Sequence, residues 1–133
     1  MRKAILMMIL AVVSSSAAAE WTAVSSNEKF TVYVESATIR KNGNMVEIWQ
    51  LFDEKTAETV AGITYMSSKD QEEFDCKEKL ARPLYSTYHS GNMGRGEIVF
   101  TNETPGNSIY GNWTPVMPGT IIETLWKFAC GKL

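Results

Sequence analysis

Cys76 and Cys130 are the only cysteines in the chain, and no other feature bounds its fold so tightly. An even pair in an oxidising compartment most simply forms one bridge, and two cysteines allow a single connectivity. The bridge would close a loop of 55 residues, counted inclusively from 76 to 130, worth about 4 kcal/mol in chain-entropy terms. That is a large share of the roughly 5–15 kcal/mol that holds a small domain together. Two free buried thiols or a redox pair are the alternatives, but the CxxC spacing of a redox pair is missing.

The oxidising compartment follows from the first nineteen residues. Arg2 and Lys3 give a positive start, Ala4 to Val13 an apolar run, and Ser14 to Ala19 a small-residue end, which is the three-part layout of a secretory signal. Cleavage is expected after Ala19, with Ala17 and Ala18 as alternatives. A membrane anchor is the rival reading, yet ten helical residues reach roughly 15 Å against about 30 Å of bilayer hydrocarbon. No cysteine stands near the cut to carry a lipid. The expected organisation is therefore a signal peptide at 1–19 and one domain at 20–133, with no integral membrane segment after cleavage.

Cleavage removes two of thirteen basic residues and none of fifteen acidic ones, so the mature domain carries a charge of −4. Mild acidity argues against nucleic acid or an anionic membrane as partner, since both select clustered Lys and Arg. A chain of this size buries enough surface for one domain and not for two.

From Lys29 to Ser68 the dominant period is two. Phe30, Val32 and Val34 alternate with Thr31, Tyr33 and Glu35, which predicts a half-buried strand. Ala37–Arg40 and Met45–Phe52 flank Lys41-Asn42-Gly43-Asn44, predicting a hairpin with a type I′ turn at Asn-Gly. Further strands are expected at Thr59–Met66, at both ends of Glu72–His89 with Pro83 forcing an edge, bulge or break, and at Glu97–Thr101. Connections too short for crossover helices make the sheet antiparallel. After a loop from Asn102 to Gly119, Thr120-Ile121-Ile122-Glu123 fits a capping box, in which Glu123 reaches back to the Thr120 amide. The helix it opens, Thr120 to Cys130, has a broad apolar arc of Ile121, Ile122, Leu125, Trp126, Phe128 and Ala129, and Gly131 suits its stop. The fold class is α+β: a curved antiparallel sheet of about six strands, with this helix clamped across one face by Cys130.

Catalytic and metal signals are weak. His89 is the only histidine, and Ser90 beside it is badly placed as a partner. A lone His next to a glycine-rich turn is more often a surface or turn residue. Glu72, Glu73 and Asp75 lack calcium-loop spacing and are expected on a solvated edge beside Lys77 and Lys79. His89 to Gly96 lacks the terminal GK[ST] of a phosphate cradle and is expected to be a turn. No catalytic residue, metal ligand or cofactor is assigned. Trp49 and Trp126 are expected in the core. Trp113, in a Pro-flanked loop, either pins that loop or recognises a partner. With Asn92 and Arg95 of the turn it forms the weak candidate set for protein binding, since binding residues concentrate on loops held by a rigid scaffold.

Several of these residues carry a resemblance over nearly the whole mature chain. Trp21, Tyr33, Trp49, Asp75-Cys76, Gly91 through Glu97, Trp113-Thr114-Pro115, Pro118-Gly119-Thr120 and Ala129-Cys130 resemble, in order and spacing, the surface-adhesin protein E family. The resemblance implies a sheet of about six strands, with the C-terminal helix tied by a disulfide to its concave side. It also implies a non-catalytic outer-surface or periplasmic bacterial protein. The founding member of the family binds host extracellular-matrix and serum proteins (vitronectin, laminin, plasminogen) as a dimer, so a protein ligand and a homodimer are the implied partners. That member is displayed by a lipid on an N-terminal cysteine, which this sequence does not show. The simplest expected destination is then the periplasm, with the cell surface or secretion as alternatives. A periplasmic inhibitor or envelope-maintenance protein, acting on an enzyme such as a lysozyme, is the alternative function.

Overall fold

The computed structural model describes residues 20–103 and 113–132. The expected signal peptide at 1–19 and the middle of the Asn102–Gly119 loop lie outside the described residues. Eight strands form one antiparallel sheet: β1 (Thr22–Ser26), β2 (Phe30–Val34), β3 (Arg40–Asn42), β4 (Met45–Val60), β5 (Ile63–Asp75), β6 (Leu80–His89), β7 (Ile98–Glu103) and β8 (Thr114–Pro115). The count corrects the expected six. Six strands do run along the main path, β1-β2-β4-β5-β6-β7, and the short β3 and β8 share outer edges with β2 and β7. Strand β1 was not foreseen, and a 3-10 turn at Ser36–Thr38 replaces most of the strand expected at Ala37–Arg40.

The two longest strands form one hairpin, so the separate strand expected at Thr59–Met66 is instead interrupted by the turn Ala61-Gly62, between the paired Val60 and Ile63. Ala61 and Gly62 have φ of 52° and 80°, the two positive values of a type I′ turn. The hairpin expected around Asn42-Gly43 also forms, but Asn42 pairs with Met45, leaving Gly43-Asn44 as the turn. Only Gly43 (φ 62°) is positive there, which matches the II′ pattern rather than I′. Pro83 sits at a register shift opposite Glu72, between the stretches of β6 that pair with β8 and β7, so its missing N–H disrupts no ladder.

Helix α1 (Ile121–Ala129) crosses the concave face of the sheet. Thr120 caps it by accepting the Glu123 N–H at 3.2 Å, while the Glu123 carboxylate accepts from the amide of Gly119, not from that of Thr120. Its end is a Schellman motif: Lys132 N–H bonds to Lys127 C=O, Gly131 N–H to Phe128 C=O, and Gly131 takes φ 67°. Leu125, Trp126 and Ala129 bury against Val32, Val34, Val46, Ile48, Phe74, Ala81 and Val116 to make the core. The Cys76–Cys130 disulfide fastens the last turn to the loop after β5, with 5.7 Å between the Cα atoms.

Candidate functional site

The helix covers only part of the face it packs on. Register places Val46, Phe74 and Ala81 in one row beneath it. Moving along the strands, the rows change character. Ile48 pairs with Glu72; Gln50 pairs with Asp70, which pairs in turn with Ser86; and Phe52 pairs with Ser68, which pairs in turn with Tyr88. Successive side chains alternate faces, so Gln50, Ser68, Asp70, Glu72, Ser86 and Tyr88 share the helix face as a polar belt next to the core.

This belt is buried and short of donors. Gln50 is 2% exposed and Glu72 9%, and Gln50 Oε1 and Glu72 Oε2 have no hydrogen-bond partner. Asp70 accepts from the hydroxyls of Ser86 and Ser68. Burial pushes the Asp70 carboxyl up to about 6 despite those bonds, and burial with the neighbouring Asp70 charge pushes Glu72 up to about 7. Glu54, at the far end of the same face, is also raised, by burial and then by Glu58 and Asp53. Glu72, Glu73 and Asp75 were expected on a solvated edge; Glu72 and Asp75 are buried in a central strand, and Glu73 is half-buried in an ion pair with Arg82 at 2.7 Å.

Beyond the belt lies an aromatic end. Tyr65 and Tyr88 meet edge to face with centroids 4.8 Å apart, and Tyr88 also touches Phe100. With Val60, Ala61 and Ile63 these rings line a cleft of about 240 Å³. Val60, Phe100 and the nearby Ile98 are large apolar side chains left exposed. Asp70 raises Tyr88 after burial does, which places the belt and the aromatic end within electrostatic reach of each other.

The weak candidates from the sequence lie elsewhere and apart. Asn92 and Arg95 belong to a turn after β6 that folds onto the opposite face. Asn92 Nδ2 donates to Asp53 Oδ1 and to the Glu54 carbonyl, both at 3.0 Å, so this side chain holds the turn down. Gly94 lies against Lys69, where a Cβ would come within 2.3 Å of its Cε, and takes φ 70°. Arg95 is exposed. Trp113 adjoins β8, beside the start of β6, and stacks on the Arg82 guanidinium at 4.5 Å. Roughly seven strand residues, about 23 Å, separate it from the turn. The structure does not bring the three together. Trp126 is buried as expected, but Trp49 is only half-buried, on the face away from the helix against Tyr85.

His89 is buried at 5% exposure rather than lying on the surface. Its Nε2 is 2.8 Å from Thr87 Oγ1, its Nδ1 has no partner, and burial and then Lys69 hold its pKa below the ordinary value. Among the described residues no group of His, Cys, Asp and Glu is placed to hold a metal, and no helix is long and apolar enough to cross a membrane.

With this architecture in view, the profile of the surface-adhesin protein E family matches residues 21–131. The chain belongs to that family. Solved structures agree in fold. Crystal form II of Haemophilus influenzae protein E superposes with a TM-score of 0.58 at 10% identity, covering 86% of this chain and 97% of that one. A second structure of Haemophilus influenzae protein E gives 0.56 at 10% identity, covering 85% and 92%. Protein E from non-typeable Haemophilus influenzae gives 0.51 at 8%, covering 84% of each. No curated protein matches the sequence. At such identity the likeness shows the fold alone. Sequence reasoning missed Gln50, Asp70, Glu72, Tyr65 and Tyr88. Alternation around Phe74, continued back through Glu72 and Asp70, was the signal that could have found those two.

Proposed function

We propose that this chain is a non-catalytic exported bacterial binding protein of the surface-adhesin protein E type, taking a protein ligand among host extracellular-matrix or serum proteins. The observation that carries this reading is the uncovered half of the helix face, where exposed Val60 and Phe100 line the Tyr65–Tyr88 cleft instead of packing into the core. Contiguous exposed apolar surface rimmed by polar groups is what a protein-binding site presents. Family membership favours the same class. The buried, hydroxyl-paired His89 offers no nucleophile and base in reach of a substrate.

Export rests on the residues 1–19, with cleavage after Ala19 and the domain beginning at Glu20. Whole cells expressing the chain are treated with protease, and the purified mature domain is tested for retention by immobilised vitronectin, laminin and plasminogen. The reading expects digestion on intact cells and saturable retention by at least one ligand, lost in a Phe100→Ser variant that stays folded. Protection in intact cells, with retention by none, would sink it and leave a periplasmic role on another protein.

A further inference from the structure

We propose that the polar belt of the helix face is a recognition site for a guanidinium group, the side chain of an arginine in a protein segment whose neighbouring apolar residue enters the Tyr65–Tyr88 cleft. The inference rests on the binding reading above and names the chemistry of the ligand.

The unpaired groups of the belt are acceptors. Gln50 Oε1 and Glu72 Oε2 are buried without partners. A buried acceptor left unmade costs about 1–3 kcal/mol, and more for a charged group. Gln50 and Asp70 are directly paired, placing their Cβ atoms about 5 Å apart, and Glu72 is diagonal to Gln50 at roughly 7 Å. A planar guanidinium with five fixed N–H donors spans that spread, whereas an ammonium is a point charge. Half-buried Asp70 and Ser86 open the belt to solvent, while Gln50 and Glu72 form its floor.

Charge agrees. The titratable groups acting on Asp70, Glu72 and the neighbouring rings are Glu54, Glu58, Asp70 and Tyr88, from β4, β5 and β6, all acidic or phenolic; Lys29 acts only on Glu54. From α1, Glu123 is occupied by Lys79 and Lys127. Among the described residues, no lysine or arginine lowers the pKa of Asp70 or Glu72. Burial is the first cause of their raised pKa values, and an entering cation would offset it. The Tyr88 ring beside Asp70 adds a face on which a guanidinium stacks.

The test is an NMR titration of the whole mature domain with three probes: acetyl-Arg-Leu-amide, its neutral isostere acetyl-citrulline-Leu-amide, and free arginine. The arginine dipeptide should shift the amides of Gln50, Asp70, Glu72 and Tyr88 saturably. The citrulline dipeptide should bind at least about tenfold more weakly, as loss of a charged hydrogen-bonding partner implies. Affinity should fall as pH drops from 8 to 5.5, because protons compete for the two carboxyls. Asp70→Asn with Glu72→Gln should remove binding while leaving the melting temperature equal or higher, which a merely structural role of these carboxylates would not do. Equal binding of the citrulline probe, retained binding in the double variant, or no saturable shift would each overturn the proposal. Free arginine binding as tightly as the dipeptide would overturn its assignment to a protein segment. Retention by a host protein alongside any of these results would sink this inference and leave the broader reading standing.

Discussion

Trp126 donates its indole N–H to the main-chain carbonyl of Asp75 across 3.0 Å, and the next residue, Cys76, is bonded to Cys130 one helical turn beyond Trp126. Helix and sheet are thus joined twice within one turn, once covalently and once by a buried hydrogen bond. The Asp75 carboxylate shapes the same corner by accepting the amides of Lys77 and Glu78 at 3.0 and 2.9 Å.

Cys130→Ser should therefore loosen α1 before it disturbs the strands. Losing a bridge across this loop costs about 4 kcal/mol by the chain-entropy estimate, but the Trp126 bond and the Leu125 and Ala129 contacts still hold the helix near its place. Amide exchange should quicken across α1 while Ile48 and Phe74 stay protected. Helix amides as slow as in the parent would contradict this.

Ala61 occupies the left-handed region at φ 52°, where an alanine Cβ crowds the backbone at a cost of about 1 kcal/mol. Ala61→Asn, which tolerates that conformation, should raise stability by roughly 0.5–1 kcal/mol in urea unfolding, with no change in m. A loss of stability would mean that the turn relaxes away from the type I′ form.

That turn also shows where the sequence was and was not legible. The period-two runs, the capping pattern at Thr120 and the cysteine pair identified a sheet with a helix fastened across it, because each reports a local rule. Asn42-Gly43 has the residues an I′ turn favours, while Ala61-Gly62 adopts it because sixteen residues of β4 and thirteen of β5 must pair across it. Glu72 and Asp70 were hidden for a related reason: a run of charged residues looks solvated until neighbouring strands cover both edges of β5. Composition describes a residue, whereas burial depends on pairing partners distant in the chain.

The belt makes stability depend on pH in a definite direction. Asp70 and Glu72 titrate near 6 and 7 in the folded chain against ordinary values of 3.8 and 4.5. The native state thus holds more protons than the unfolded state between about pH 4 and 7, and stability contributed by the protonated pair is lost as pH rises through that window. At about 1.4 kcal/mol per unit the pair contributes on the order of several kcal/mol. His89, lowered by burial, and Glu123, lowered by its bond from Lys79, act in the opposite sense, so the informative quantity is the difference from a variant. Glu72→Gln should melt above the parent at pH 8, with the gap closing by pH 4. A gap independent of pH would show that Glu72 ionises in the fold as readily as in the unfolded chain.

On the opposite face, Asp53 Oδ1 accepts both the Met93 amide at 2.7 Å and the Asn92 side chain at 3.0 Å, while Ser67 Oγ takes the Gly94 amide and donates to the Gly91 carbonyl. Ser67 lies directly opposite His89, so the turn held by these bonds also keeps His89 from water. Asp53→Ala removes two of the acceptor contacts from outside the turn and leaves the strand pairing of β4 intact. The turn should then open, and the His89 ring, followed by proton NMR, should titrate closer to its ordinary value of 6.5, because burial is the largest cause of its depression. Backbone shifts should change from Gly91 to Gly96 and little in α1. If His89 titrates as in the parent while those turn shifts do change, its burial comes from the sheet itself and not from the turn above it.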